Sequence, residues 1–175
     1  MTLSLNAVRR AAPAEASRVS QLLQACGKDI QNRLGLNNWA VPYPLELVQA
    51  QAEAGFVWVL EEEGQFLGTF TLDFTLPDEY QPDWFTEPHA PAAYLHRLAV
   101  APDIQGRGLG AYALREVERV AREAGAHWLR FDAYSRNAGI QTFYRKQGFA
   151  RLREFQMILP SLGHPDTFTL YEKKL

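Results

Sequence analysis

The densest run of chemistry in the sequence lies between Tyr94 and Ala124. Tyr94-Leu95-His96-Arg97-Leu98-Ala99-Val100 reads as a strand, and Gln105-Gly106-Arg107-Gly108-Leu109-Gly110 as a glycine-rich turn. A long amphipathic helix follows. A strand that feeds such a turn presents backbone N–H groups at the positive end of a helix dipole, which suits a phosphate or pyrophosphate. A P-loop is excluded, because no Lys-Ser/Thr pair follows Gly110. The glycines at 106, 108 and 110 also lack the spacing of a dinucleotide fingerprint. Another phosphorylated cofactor remains, set against a glycine connection that binds nothing. His96 adds a group that titrates near neutral pH and can accept a proton. Strand alternation is expected to put it on the same face as Leu98 and Val100. A buried, hydrogen-bonded strand histidine is the competing reading. Asp73, Asp132 and Glu61, on neighbouring strands, are weaker candidates for a base.

These residues need a frame. The chain of 175 residues is long enough for one domain with a substantial core, and a single domain over 1–175 is expected. Its net charge of −2 offers no bulk attraction to nucleic acid or an anionic membrane. Cys26 is the one cysteine; it sits among Leu22, Leu23 and Ile30 and reads as a small core residue. No apolar run is long enough to span a bilayer and no signal peptide is evident, so the cytoplasm is the expected location. No metal is expected.

Periodicity supplies the elements. Leu5 to Ala11 reads as a strand. Pro13 opens a helix carrying Val19, Leu22, Leu23, Cys26 and Ile30 at helical spacing. Pro44 to Ala54 gives a shorter helix. Phe56–Glu61 and Gln65–Phe74 form a hairpin around Glu62-Glu63-Gly64. A proline-rich loop, Pro77 to Pro91, leads into the strand ending at Val100. The helix Leu109–Ala124 places Ala113, Val117, Val120 and Ala124 on one stripe, with Glu118 and Arg122 able to pair. Trp128–Ala133 is the next strand, and Asn137 caps a short helix that stops at Gly148. Ala150–Leu159 and Thr167–Lys173 close the chain. The order predicts an α/β sheet of mixed direction around a central β–α–β crossover.

Two motifs carry a resemblance. The spacing Val-x-Pro-x-x-Gln-Gly-x-Gly-x-Gly, from Val100 to Gly110, resembles the coenzyme A motif of the GNAT superfamily of N-acetyltransferases. Residues 137–149, from Asn137 through Tyr144 to Gly148-Phe149, are similar to that family's Asn-x-x-Ala-x-x-x-Tyr-x-x-x-Gly-Phe pattern, with Ile140 where a small residue is usual. The resemblance implies an α/β (α+β) fold with a mixed, mostly antiparallel sheet of six to seven strands and helices on both faces. It implies acetyl-CoA as cofactor, its arm lying in a gap between Leu98–Val100 and Trp128–Ala133 and pairing with backbone there. Gln105, Gly106, Arg107, Gly108, Leu109, Gly110 and Ala111 would hold the pyrophosphate, with Leu98, Ala99, Val100, Asn137 and Tyr144 along the arm. Tyr144 would give a proton to the leaving thiolate, and His96 would take one from the amine. The backbone N–H of Leu98 or its neighbour would face the oxyanion. The strand around His96 is also similar to that of arylalkylamine acetyltransferases.

The acceptor would meet two segments, Asp29–Tyr43 and Pro77–Ala92. They carry Trp39, Tyr43, Tyr80, Trp84 and Phe85 with Asp78, Glu79, Asp83 and Glu87, a mixture suited to a cationic amine. A solvated acidic loop with aromatic anchors is the plainer reading. The expected activity is acetyl transfer from acetyl-CoA to a primary amine of a small molecule in a ternary complex, with a homodimer conceivable. The alternative is a non-catalytic acyl-CoA sensor of the same fold.

Overall fold

The computed structural model describes residues 7–159 and 162–175. In chain order the elements are β1 (Ala7–Arg10), α1 (Ala16–Leu34), α2 (Leu45–Glu53), β2 (Val57–Glu62), β3 (Gln65–Asp73), β4 (Ala92–Val100), α3 (Leu109–Glu123), β5 (Trp128–Tyr134), α4 (Ala138–Lys146), β6 (Ala150–Ile158) and β7 (Pro165–Lys174). The predicted first strand is present from Ala7; Leu5 and Asn6 lie outside the described residues. All seven strands join one sheet in the order β1-β2-β3-β4-β5-β7-β6. Only β4 and β5 run parallel, joined through α3; every other neighbouring pair is antiparallel. The mixed direction is what the element order predicts, and the mostly antiparallel seven-stranded sheet is what the resemblance implies.

Alternation along the strands separates two apolar layers. Val57 and Val59 of β2 meet Val19, Leu23 and Cys26 of α1 and Val48 and Ala52 of α2 on one face. Leu60, Phe70, Leu72, Leu95, Leu129 and Phe131 meet Ala113, Leu114 and Val117 of α3 on the other. Helices therefore cover both faces. The polar side of α3 is stitched by Arg119 to Glu116 and Glu123, and by Arg122 to Glu118. Ala124, expected on the apolar stripe, instead caps the helix and is exposed.

Two features of β4 decide where a site can form. The first is a bulge. His96 pairs with Thr71 and Ala99 with Thr69, so Phe70 alone faces both Arg97 and Leu98. Arg97 takes a left-handed backbone, φ 51. Gly68 admits the close approach: a Cβ there would stand 2.9 Å from the Ala99 carbonyl oxygen. The second feature is a parting. β4 and β5 pair only at Ala92–Trp128, Ala93–Leu129 and Tyr94–Arg130, and beyond that they diverge.

The loop between β3 and β4 is held onto the far half of the sheet. Arg130 and Glu172 are buried side by side, 3.5 Å apart. Arg130 also donates to the Glu87 carbonyl at 2.7 Å and lies under the Phe85 ring. Glu172 accepts from the Thr86 N–H at 3.1 Å and from the Thr86 hydroxyl. The two charges offset each other across the pair and their other atoms hold the loop, while Arg130 Nε and Glu172 Oε2 themselves make no directed hydrogen bond among the described residues.

Candidate active site

The parting of β4 from β5 opens a cleft of about 1010 Å³. Its walls come from β4, β5, the turn before α3, the start of α4, the end of α1 and the segment after it. His96, Leu98, Ala99, Val100, Gln105, Gly106, Gly108, Gly110, Ala111, Asn137 and Tyr144 all line it. Arg107 and Leu109 do not: the Arg107 side chain is exposed and Leu109 is packed into the core.

One end of the cleft is built from backbone. Gly106 and Gly108 both have φ 80, and nothing stands within 4 Å of where a Cβ would project from either. The left-handed backbone is open to glycine without penalty. Gly108 is the residue just before α3, so the unpaired N–H groups of the first helical turn face the same space. Gly110 is different in purpose; a Cβ there would come 3.6 Å from Phe143 of α4.

Along β4 the edge toward β5 is open. The Ala101 N–H donates to the Leu67 carbonyl at 2.9 Å, which makes Val100–Gly68 a non-hydrogen-bonded pair. The N–H and carbonyl of Val100 therefore point away from β3, into the cleft. The carbonyl already accepts from Gln105 Nε2 at 3.0 Å and from the Cys26 thiol at 3.3 Å. Cys26 is the core residue expected, and burial pushes its thiol up to about 11. Ala99, by contrast, turns its backbone toward Thr69 of β3.

Tyr144 enters from the α3/α4 face. Asn137 caps its helix, accepting from the Ile140 N–H at 3.1 Å. The Tyr144 ring is buried against Phe131, with centroids 4.4 Å apart, and against Phe143, Phe149 and Tyr171. Burial first, then the nearby charge of Asp132, raises its hydroxyl far above the usual range. The group thus keeps its proton at neutral pH, the state that a proton donor requires. Ile140 packs beside this core without blocking the helix.

His96 enters from the opposite face. The bulge shifts the alternation, so His96 and Ala99 project toward α1 and α2, while Leu98 and Val100 pack toward α3. The shared face predicted for His96, Leu98 and Val100 is therefore corrected: a bulge inserts one residue and reverses every face beyond it. His96 Nε2 lies 3.3 Å from Asp73 Oδ2, shielded from solvent and without a properly directed hydrogen bond. Asp132 is close by on β5. Burial raises its carboxyl above the ordinary value, opposed by the Tyr80 hydroxyl that donates to it at 2.5 Å.

The remaining acceptor residues divide. Trp39, Tyr43, Glu79 and Tyr80 line the cleft. Gly27 of α1 makes room for the Trp39 carbonyl, which a Cβ would strike. Trp84 and Phe85 instead anchor the loop on Phe155 and Arg130. Asp78, Asp83 and Glu87 do not reach the cleft. Glu61 is also elsewhere, bound to Arg9 at 2.6 Å beside β1. Sequence spacing singled out neither the Gln105 contact with Val100 nor the placement of Arg97; both depend on the bulge and turn in three dimensions.

Residues 20–149 match the acetyltransferase (GNAT) family, and the chain belongs to it. It is an acetyltransferase with acetyl-CoA as its acyl donor. It is 27% identical, over 139 residues, to YesJ of Bacillus subtilis, described as an uncharacterized N-acetyltransferase; the match covers 77% of this chain and 76% of that protein. A GNAT-family acetyltransferase structure from Streptococcus agalactiae superposes with TM-score 0.77 at 18% identity, covering 99% of each chain. The structure of yncA from Salmonella typhimurium with its cofactor acetyl-CoA superposes with TM-score 0.68 at 20% identity, covering 96% of this chain and 92% of that one. The residues here fit such a cofactor: two left-handed glycines with clear space, a helix N-terminus and a free strand edge lie along one cleft. No helix among the described residues is long and apolar enough to cross a membrane.

Proposed function

We propose that the cleft joins an acetyl group to a primary amine of a small molecule by direct attack, with both substrates bound at once. The observation that carries this reading is the meeting of Tyr144 and the His96–Asp73 pair in one cleft from opposite faces of the sheet. Acetyl-CoA supplies an acetyl group on a thioester, from which an amine can displace a thiolate. His96 takes the proton that the amine sheds as its new N–C bond forms, through Nδ1, the ring nitrogen that is not shut away from solvent, while Nε2 stays beside Asp73. The Tyr144 hydroxyl gives a proton to sulfur as the C–S bond breaks. The backbone from Gly106 to Ala111 holds the phosphates, and the free edge of β4 aligns the arm. Holding both reactants in one cleft removes the need for a covalent enzyme intermediate.

The deciding experiment is a thiol-release assay with acetyl-CoA across a panel of small primary amines. Turnover that requires both substrates, with no burst of free thiol before the amine is added, is expected. Tight coenzyme A binding with no turnover on any amine would favour the sensor reading instead.

A further inference from the structure

The acceptor end of the cleft contains a cation that none of the catalytic steps uses. Arg97 sits at the bulge, next to His96, and lines the cleft. One guanidinium nitrogen, Nη2, donates to Thr71 at 3.1 Å and to Gln51, and the group lies over the Tyr43 ring at 4.9 Å. All three partners are neutral. Among the described residues no carboxylate forms an ion pair with it. Its Nε is sealed and unpartnered. Nη1 makes no hydrogen bond among the described residues either, and it is not shut away from solvent.

The other two arginines in the walls are committed: Arg33 to Asp29 at 2.8 Å and Arg136 to Asp166 at 3.3 Å. The nearest carboxylate acting on it, Asp73, does so at a distance and forms no ion pair with it; a desolvated guanidinium so weakly compensated is costly, and here it stands on a left-handed backbone besides. Burial is also the main influence on its ionisation, lowering its affinity for the proton. Meanwhile the carboxylates of Asp73 and Asp132 gather on the side of His96, where an ammonium would arrive. Negative groups beside the base and an unpaired positive group next to it form a dipolar site.

We propose that the acceptor is a zwitterion, an amino acid or close analogue, whose carboxylate pairs with Arg97 while its amine faces His96, Asp73 and Asp132. This rests on the acetyl-transfer reading above. Arg97 and His96 are consecutive at the bulge and both line the cleft, so an acceptor that carries its two charges close together suits the pair. A planar guanidinium with a free nitrogen is suited to a carboxylate.

The test compares amino acids with the amines that lack the carboxylate: phenylalanine with phenethylamine, leucine with isoamylamine, lysine with cadaverine. The wild-type protein is expected to favour a carboxylate-bearing member by about 10- to 100-fold in kcat/KM. Arg97→Gln is expected to collapse that ratio, and Arg97→Lys to retain part of it. Preference for the decarboxylated amines overturns the proposal. So does an Arg97→Gln variant that slows both members of a pair equally, since that is what a purely structural arginine would do. Binding of the N-acetylated amino acids with coenzyme A present gives a readout free of turnover. If no amine is acetylated, the transfer reading fails on its own. Binding of these products that Arg97→Gln leaves unweakened would overturn the Arg97 assignment separately.

Discussion

At the scale of single residues, Tyr144 and His96 make different demands on an experiment. The Tyr144 ring is part of the core, but its hydroxyl has no partner among the described side chains, so Tyr144→Phe removes chemistry and keeps packing. That variant should lose on the order of 100-fold in kcat while its affinity for coenzyme A stays put. Steady-state kinetics beside calorimetric titration separates the two, and native kcat would reduce the tyrosine to a packing residue. His96→Gln keeps polarity and reach but cannot accept a proton at these pH values. For an amine whose own titration is well separated, kcat/KM should rise with pH in the wild type and lose that limb in the variant. A limb that survives would move the proton to another group or to water. The sequence could name His96 because imidazole chemistry is intrinsic to the residue. It could not orient it, because a one-residue bulge leaves no signature in hydropathy. The same bulge hides Arg97, which reads in sequence as an ordinary strand arginine.

At the scale of elements, legibility followed local physics. Glycine spacing, the Asn137 cap and the 3.6-residue stripe of α3 are local signals, and each element stands where its signal placed it. What fails is long-range pairing: Glu61 was a candidate base by strand proximity, yet its carboxylate belongs to Arg9 across β1 and β2. The acidic and aromatic loop before β4 fails in part for the same reason, since Arg130 and Glu172 recruit Phe85, Thr86 and Glu87 as anchors. The turn before α3 offers the clearest element-level test. Gly108→Val has free space for its side chain but must hold φ 80, at a cost of about 1–2 kcal/mol. Its methyls would also fill the space that a phosphate needs. Coenzyme A affinity should therefore fall by at least about 10-fold in a folded variant, measured by titration calorimetry with circular dichroism as the folding control. Unchanged affinity would remove the turn from the binding site.

At the scale of the whole molecule, one ionic knot ties the first strand to the first helix. Glu15 accepts two hydrogen bonds from the Arg9 guanidinium, at 2.8 and 2.9 Å, and a third from the Ala12 N–H at 2.8 Å. The Arg9 hydrogen bonds lead in holding its carboxyl at about 2, against an ordinary value of 4.5. A carboxyl lowered by folding stabilises the protein above its unfolded value and loses that contribution as pH falls through its folded one. Glu15→Gln should therefore be less stable near neutral pH, by about 1–2 kcal/mol after allowing for the part-exposed Arg9. The gap should close as pH is lowered from about 4.5 toward about 2. Urea titrations across that range would read it, and a gap that persists undiminished in acid would discount the carboxylate's charge.

The parting of β4 from β5 has a mechanical consequence. Three residue pairs are the backbone seam between a four-stranded block, β1 to β4, and a three-stranded block, β5 to β7. Such a seam is a natural boundary between cooperative unfolding units. A ligand laid along the cleft grips both blocks, and binding linkage then protects each of them. At a hundredfold excess over its dissociation constant, coenzyme A should add about 2.7 kcal/mol against global opening. Amide hydrogen exchange should slow in β5 and all along β7 as well as in β4, although Phe168 is the one residue of β7 that lines the cleft. Protection confined to β4 and the glycine turn would mean that the blocks open independently, and that occupancy of the cleft does not knit the sheet into one unit.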